Sequence, residues 1–264
     1  MLIVEQIWTA NAYRNFNYLI ACEETGEALA VDPLDHAKCL TKARQLGWEI
    51  RQIVNTHEHG DHTGGNHAIV AATGAKLLAH QGARDKIPGI DRGLVAGDVV
   101  RVGKTVEFEV LDTPGHTMSH VCLLAHIPGP ALFCGDTMFN AGAGNCHNGG
   151  HPAALYETFA NQLAKLPDET LVYPGHDYIA NNLNFTLDRE PDNARAANLL
   201  ERVSHQDPND ALVTTLGLER EINVFLRLQN PRVIERLLEA DPELANKKDP
   251  RRVFLALRSL RNRW

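Results

Sequence analysis

Apolar and polar positions alternate in short runs over the first two thirds of the chain, and a longer, helical period takes over afterwards. Met1 to Glu5 reads as a first strand. Phe16–Cys22 and Glu27–Val31 flank Glu24-Thr25-Gly26 and predict a hairpin. Asp35 to Leu46 predicts a helix ended near Gly47. A strand at 50–54 follows, then a His-rich loop, a helix starting near Gly64 or Gly65, and a short strand at Leu77-Leu78-Ala79. Asp98 to Val110 predicts a hairpin turning at Gly103. Val121 to His126 and Ala131 to Cys134 form another around Pro128-Gly129-Pro130. Leu155, Phe159, Leu163 and Leu166 give Pro152 to Leu166 a helical period. After His176 the pattern is almost entirely helical, with helix starts at Asn230-Pro231, Asp241-Pro242 and Asp249-Pro250. The reading is a layered α/β (α+β) domain over 1–177 and a helical C-terminal domain over 178–264.

The chemistry is concentrated at the ends of the strand-like runs. His57-Glu58-His59-Gly60-Asp61-His62 follows the strand at 50–54. His116 sits in Thr113-Pro114-Gly115-His116, Asp136 in Gly135-Asp136-Thr137, and His176 in Pro174-Gly175-His176. His116, Asp136 and His176 each come directly after an apolar run and a Gly or Pro-Gly, and the His-rich run follows a strand as well, so four strand ends can meet at one edge. Crowded imidazoles and carboxylates conflict when buried, and a divalent cation removes the conflict. One zinc takes about four ligands, whereas His57, His59, Asp61, His62, His116, Asp136 and His176 are seven candidates. That number suits two ions roughly 3.5–4 Å apart that share a carboxylate. One division puts His57, His59 and His116 on a first ion and Asp61, His62 and His176 on a second, with Asp136 bridging. Water held between two such ions would supply a hydroxide nucleophile near neutral pH. No serine or cysteine nucleophile with a base is evident.

Composition narrows the setting. The net charge of −7 over 264 residues leaves no dominant basic field, which argues against a nucleic-acid partner. No apolar run reaches bilayer length, and the N-terminus lacks the basic and apolar regions of a secretion signal. Five scattered cysteines without CxxC spacing suggest reduced thiols in the cytoplasm, Cys122 and Cys134 being small core residues. The expectation is a cytoplasmic monomer with no membrane partner. His36, His67, His80, His126, His151 and His205 match no ligand position, His120 is read as supporting a ligand, and Glu58 is expected to face solvent.

The ligand segments carry a family resemblance. Thr56-His57-Glu58-His59-Gly60-Asp61-His62-Thr63-Gly64-Gly65-Asn66, Thr113-Pro114-Gly115-His116-Thr117, Phe133-Cys134-Gly135-Asp136-Thr137-Met138-Phe139 and Tyr173-Pro174-Gly175-His176-Asp177-Tyr178 resemble the metallo-β-lactamase superfamily. Asn181-Asn182-Leu183-Asn184-Phe185 and the helical C-terminus look most like its glyoxalase II branch, the hydroxyacylglutathione hydrolases. The resemblance implies an αββα sandwich, two divalent ions (zinc first, iron or manganese as alternatives) and hydrolysis of S-(R)-lactoylglutathione to D-lactate and glutathione. Asp61 would orient the hydroxide as well as ligate, and Asp136 would bridge.

The resemblance also implies how the glutathione thioester is held. Tyr178 matches a family tyrosine that contacts glutathione. Arg258 and Arg261 stand where the family has an Arg and a Lys three residues apart, on one face of a helix; a solvated basic face is the competing reading. Asn145-Cys146-His147 replaces the family's Lys-x-Tyr, so Asn145 and His147 are the corresponding candidates. Competing functions are another hydrolase of this fold (a lactonase or weak β-lactamase), a persulfide dioxygenase with one iron, and a nonenzymatic binding protein.

Overall fold

The computed structural model describes residues 2–126, 129–240 and 249–264. Met1, Pro128 and the helix start expected at Asp241-Pro242 lie outside the described residues. Two six-stranded sheets face each other. The first holds, in spatial and chain order, β1 (Leu2–Trp8), β2 (Phe16–Cys22), β3 (Glu27–Val31), β4 (Glu49–Asn55), β5 (Lys76–His80) and β6 (Arg92–Leu94). β1 and β2 pair antiparallel from Leu2 opposite Cys22 to Trp8 opposite Phe16, while β3 to β6 run parallel. The remaining strands are β7 (Val99–Val102), β8 (Val106–Asp112), β9 (Val121–Ala125), β10 (Ala131–Gly135), the small hairpin β11 (Met138–Phe139) and β12 (Gly142–Ala143), β13 (Leu171–Pro174) and β14 (Thr214–Thr215). The second sheet is ordered β14-β13-β10-β9-β8-β7.

The helices cover the outer faces. α1 (His36–Leu46), the single turn α2 (Gly60–Thr63) and α3 (Asn66–Thr73) belong to the first half. α4 (Pro152–Asn161), α5 (Ile179–Arg189), α6 (Ala194–Val203), α7 (Leu216–Ile222), α8 (Pro231–Ala240) and α9 (Pro250–Arg261) follow. β2 shows why the layers stack. Its phenylalanine, tyrosine and isoleucine (Phe16, Tyr18, Ile20) enter the core between the sheets with Phe108, Phe133 and Tyr173. Its alternate positions Leu19 and Ala21 pack beneath α1 and α3 with Ile53 and Ile69. A strand buried on both faces reads as a continuous apolar run, as this one does. A third cluster joins Leu132, Phe159 and Val172 to Phe185, Phe225 and Phe254 and seals the C-terminal helices onto the second sheet. The result is an αββα sandwich with helices added at its C-terminal side, as expected.

Local signals hold up with adjustments. Asp35 caps α1 by accepting from the Lys38 amide, and Gly47, at φ 69°, ends it. Asp249 caps α9 the same way, with Pro250 in the first turn. α4 is shorter than the period predicted: at Gln162 the backbone leaves the helix, the side chain bonds the Asp112 carbonyl, and only one 3₁₀ turn continues. The His-rich loop closes into α2 because the His59 carbonyl accepts from the His62 and Thr63 amides. The C-terminal region also supplies a strand: Thr214 and Thr215 pair with Val172 and Leu171, too briefly to leave an alternating run.

Candidate metal centre

The four donor-bearing segments leave the C-terminal ends of β4, β8, β10 and β13 on one edge of the sandwich. His57, His59 and His116 bring one ring nitrogen each together, and so do Asp61, His62 and His176 with one ligand atom each; within each group the atoms lie within 4.8 Å of one another. Asp136 stands between the groups. Its Oδ2 is 3.5 Å from His116 Nε2 and 3.2 Å from His176 Nε2, and its Oδ1 is 3.4 Å from His62 Nε2. All seven ligand candidates therefore meet, in the two sets read from the sequence.

Counting protons tests whether a cation fits. His59 Nε2 donates to the Asn148 carbonyl at 3.1 Å, and His116 Nδ1 donates to the Asn145 carbonyl at 2.7 Å. Thr56 Oγ1 donates to Asp32 and so accepts from His57 Nδ1 at 3.0 Å. In the neutral rings each outward nitrogen holds the proton, which leaves His57 Nε2, His59 Nδ1 and His116 Nε2 as bare lone pairs. They face each other at 3.0–3.1 Å. Lone pairs at that distance repel, and a divalent ion among them turns the repulsion into coordination. In the second group His176 Nδ1 donates to the Tyr13 carbonyl at 2.6 Å and His62 Nδ1 to Asp32 Oδ2 at 3.0 Å, so their Nε2 atoms meet at 3.2 Å. Asp136 Oδ1 is buried without a hydrogen-bond partner, as a carboxylate awaiting a metal would be.

Electrostatics agree. Burial, with the neighbouring His62, pushes His57 well below the ordinary histidine range, and burial lowers His116 as well, so both stay neutral. Burial opposes charge on His62, but Asp136 and Asp32 outweigh it and push that ring up to about 9. The carboxylates that attract a proton there attract a cation equally. Burial also works against the Asp136 anion, yet the surrounding His176, His62 and His116 hold it well below the usual carboxylate range.

The supporting residues include two that sequence reading missed. Asp32 is buried at the end of β3 with φ 48° and accepts from the Thr56 amide, Thr56 Oγ1 and His62 Nδ1. Its signal was an acidic residue at the end of an apolar run, directly before the turn residue Pro33. Asn15 donates to the Asp61 carbonyl and carboxylate at 3.1 and 3.2 Å. His120 matches its expected supporting place: it stacks on His57 at 5.1 Å and accepts from the Asp136 amide. Glu58 does not face solvent; it pairs with Lys86 and accepts from Thr117 Oγ1, because Thr117 and Lys86 close over it.

The candidate substrate residues line one cleft beside these ligands. Phe139, Ala143, Asn145, His147, Tyr178, Asn182, Arg258, Arg261 and Asn262 enclose about 220 Å³. Tyr178 forms the wall nearest His176, and burial followed by the Asp136 and Asp61 charges pushes its hydroxyl up, so it stays a donor. Arg261 is half-buried, near Phe185 and Trp264, with one long bond to Asn182 at 3.4 Å. Arg258 is 4 % exposed, which excludes a solvated helix face. Its guanidinium donates to the Ala143 and Gly144 carbonyls and to Asn262 Oδ1.

Sequence comparison agrees with this geometry. The profile of the metallo-beta-lactamase superfamily matches residues 17–176, and that of the hydroxyacylglutathione hydrolase C-terminus matches 177–264. The chain is 67% identical to a hydroxyacylglutathione hydrolase of Nitrosococcus oceani over the whole length of both proteins. The chain belongs to the hydroxyacylglutathione hydrolase family of the metallo-β-lactamase superfamily. Among solved structures it resembles ETHE1 from Myxococcus xanthus (TM-score 0.67, 25% identity, covering 96% of this chain and 99% of that one). It also resembles TTHA1623 in a di-iron-bound form (TM-score 0.60, 26% identity, 84% and 99% covered).

Proposed function

We propose that the protein is a binuclear metal thioesterase that hydrolyses S-(R)-lactoylglutathione to D-lactate and glutathione. The observation that carries the reading is the convergence of two donor groups on one buried carboxylate, Asp136, beside a cleft walled by family-matched residues. The family membership supports the substrate class, and the di-iron form of a structural relative supports two ions. His57, His59 and His116 would hold one ion, Asp61, His62 and His176 the other, and Asp136 both. Zinc suits this donor set, as do iron and manganese. Bound there, the ions supply a Lewis acid for the thioester carbonyl and a hydroxide nucleophile at neutral pH.

The protein's own groups do the rest. Asp61 is the more exposed of the two ligand carboxylates, 26% against 9% for Asp136, and would orient the attacking oxygen. Asp32, Thr56 and the carbonyls of Tyr13, Asn145 and Asn148 fix each imidazole's tautomer, so no reorientation is needed during turnover. Tyr178, Arg261, Asn145 and His147 take the glutathione part, with the cationic groups facing its carboxylates. Residues 1–177 would carry the metal ligands together with Asn145 and His147, and 178–264 the remaining substrate contacts, Tyr178 and Arg261. Working as a monomer in the cytoplasm, the protein would meet its substrate among free small-molecule thioesters; among the described residues no helix is long and apolar enough to cross a membrane.

Metal analysis of protein made in defined medium, coupled to hydrolysis of an acylglutathione panel, tests the proposal. Two equivalents of metal and preferred turnover of the lactoyl thioester are expected. Metal-replete protein that hydrolyses no acylglutathione would overturn it.

A further inference from the structure

We propose that Arg258 is a positioning residue for the metal ligand His116, acting through the backbone strap 140–145, rather than primarily an anchor for the substrate carboxylate. The inference rests on the two-metal reading of the site.

The strap leaves Asp136, turns through β11 and β12 and returns to the ligands at Asn145. C-terminal side chains grip it at successive residues. Asn182 donates to the Asn140 carbonyl at 2.9 Å, and Glu219 accepts from the Ala141 amide at 2.8 Å. Asn223 donates to the Gly142 carbonyl at 3.0 Å. Arg258 Nη1 completes the row on the Ala143 and Gly144 carbonyls at 2.7 and 3.1 Å. The next carbonyl, that of Asn145, is the one that receives the His116 Nδ1 proton and so fixes which nitrogen faces the metal. On its other side the strap has no slack: a Cβ on Gly144 would lie 1.9 Å from the Asp136 carbonyl oxygen.

Arg258 has little left for a ligand. Nε and Nη2 both donate to Asn262 Oδ1, and the guanidinium lies 5.4 Å over the Phe225 ring. Breaking its two strap bonds frees the segment that carries the Asn145 carbonyl. Partners that orient a metal-bound imidazole are typically worth about 10- to 100-fold in metal affinity. Arg261, one turn on, makes no such bond to the strap among the described residues and lines the cleft.

The test compares the two arginines in zinc-loaded full-length protein. Chelator competition reads zinc retention, and S-lactoylglutathione kinetics read KM and kcat. Arg258→Met is expected to release zinc at about tenfold lower chelator concentration and to lose kcat. Arg261→Met is expected to raise KM with zinc retention unchanged. Val102→Ala, a core truncation in β7 within the cluster between the sheets, which contains no residue of the strap, controls for general destabilisation and should keep its zinc. Arg258→Met that holds zinc as the unmodified protein does, with only KM raised, overturns the proposal. Should Arg258→Met fail to fold, Arg258→Lys decides: intermediate zinc retention supports it and unchanged retention overturns it. Unmodified protein that retains no zinc overturns the metal reading, and this inference with it.

Discussion

The ring of Tyr178 lies flat against the ring of His176, with centroids 4.8 Å and planes 8° apart. One residue thus walls the substrate cleft and braces a metal ligand, and its two roles separate by substitution. Tyr178→Phe keeps the stack and removes the hydroxyl. It is expected to raise KM for lactoylglutathione by about tenfold, the worth of one good hydrogen bond, with metal content unchanged. Tyr178→Ala should lower kcat as well. Steady-state kinetics beside metal analysis check both.

Asp32→Asn tests the support that sequence reading missed. Asparagine tolerates the left-handed backbone at this position, so the substitution isolates the carboxylate. It loses an acceptor for Thr56 and for His62 Nδ1. Metal content should fall from two equivalents toward one, and the cost to folding should be about 1–3 kcal/mol. Full occupancy in the variant would show that Asp32 does not orient His62.

Asp136→Asn removes the shared charge while keeping the shape. Both groups lose their common ligand, so kcat should fall by at least about a hundredfold, in line with loss of a principal electrostatic group. Retained turnover at two metals per chain would contradict the bridging assignment.

Stability of chelator-treated protein should depend on pH in both directions. His57 and His116 have folded values below the ordinary 6.5, so the unfolded chain binds more protons and stability drops as pH falls below about 6.5. Asp136, also lowered, extends the loss through the carboxylate range. His62 is raised from 6.5 to about 9; its contribution is complete below 6.5 and disappears as pH rises to 9. Thermal melts of the metal-free protein should therefore peak near pH 6.5. Metal at His62 replaces that proton, so the loaded protein should not decline between pH 6.5 and 9. Parallel alkaline branches for the two forms would exclude metal binding at His62.

The ligands were legible because each is marked locally: His57 to His62 by a dense run of donors after a strand, and His116, Asp136 and His176 by a strand end, a Gly or Pro-Gly, then a donor. Asp32 carries a partial mark in Val31-Asp32-Pro33, but its role depends on β3 lying parallel to β4 so that it meets Thr56 and His62, a pairing no local pattern encodes. Arg258 lines the cleft as its spacing suggested, but its burial and its backbone bonds had no local mark. The same spacing on α9 also resembles a charged surface, and only the distant strap makes that face interior. β14 is two residues long and had no period to read. The layered architecture survived these gaps because the core strands, β2 above all, are defined by long apolar runs.

The loop between β1 and β2 reaches the second metal group from the far end of the chain. The Tyr13 carbonyl holds His176, Asn15 holds Asp61, and Arg14 pairs with Asp177. Among the described residues β1 is an edge strand whose only partner in the sheet is β2. Fraying of the N-terminal strand would therefore be felt first as a vacancy at the second ion, before any loss of the core. Metal stoichiometry becomes a gauge of N-terminal integrity: a preparation clipped within β1 should carry one ion per chain and still melt cooperatively.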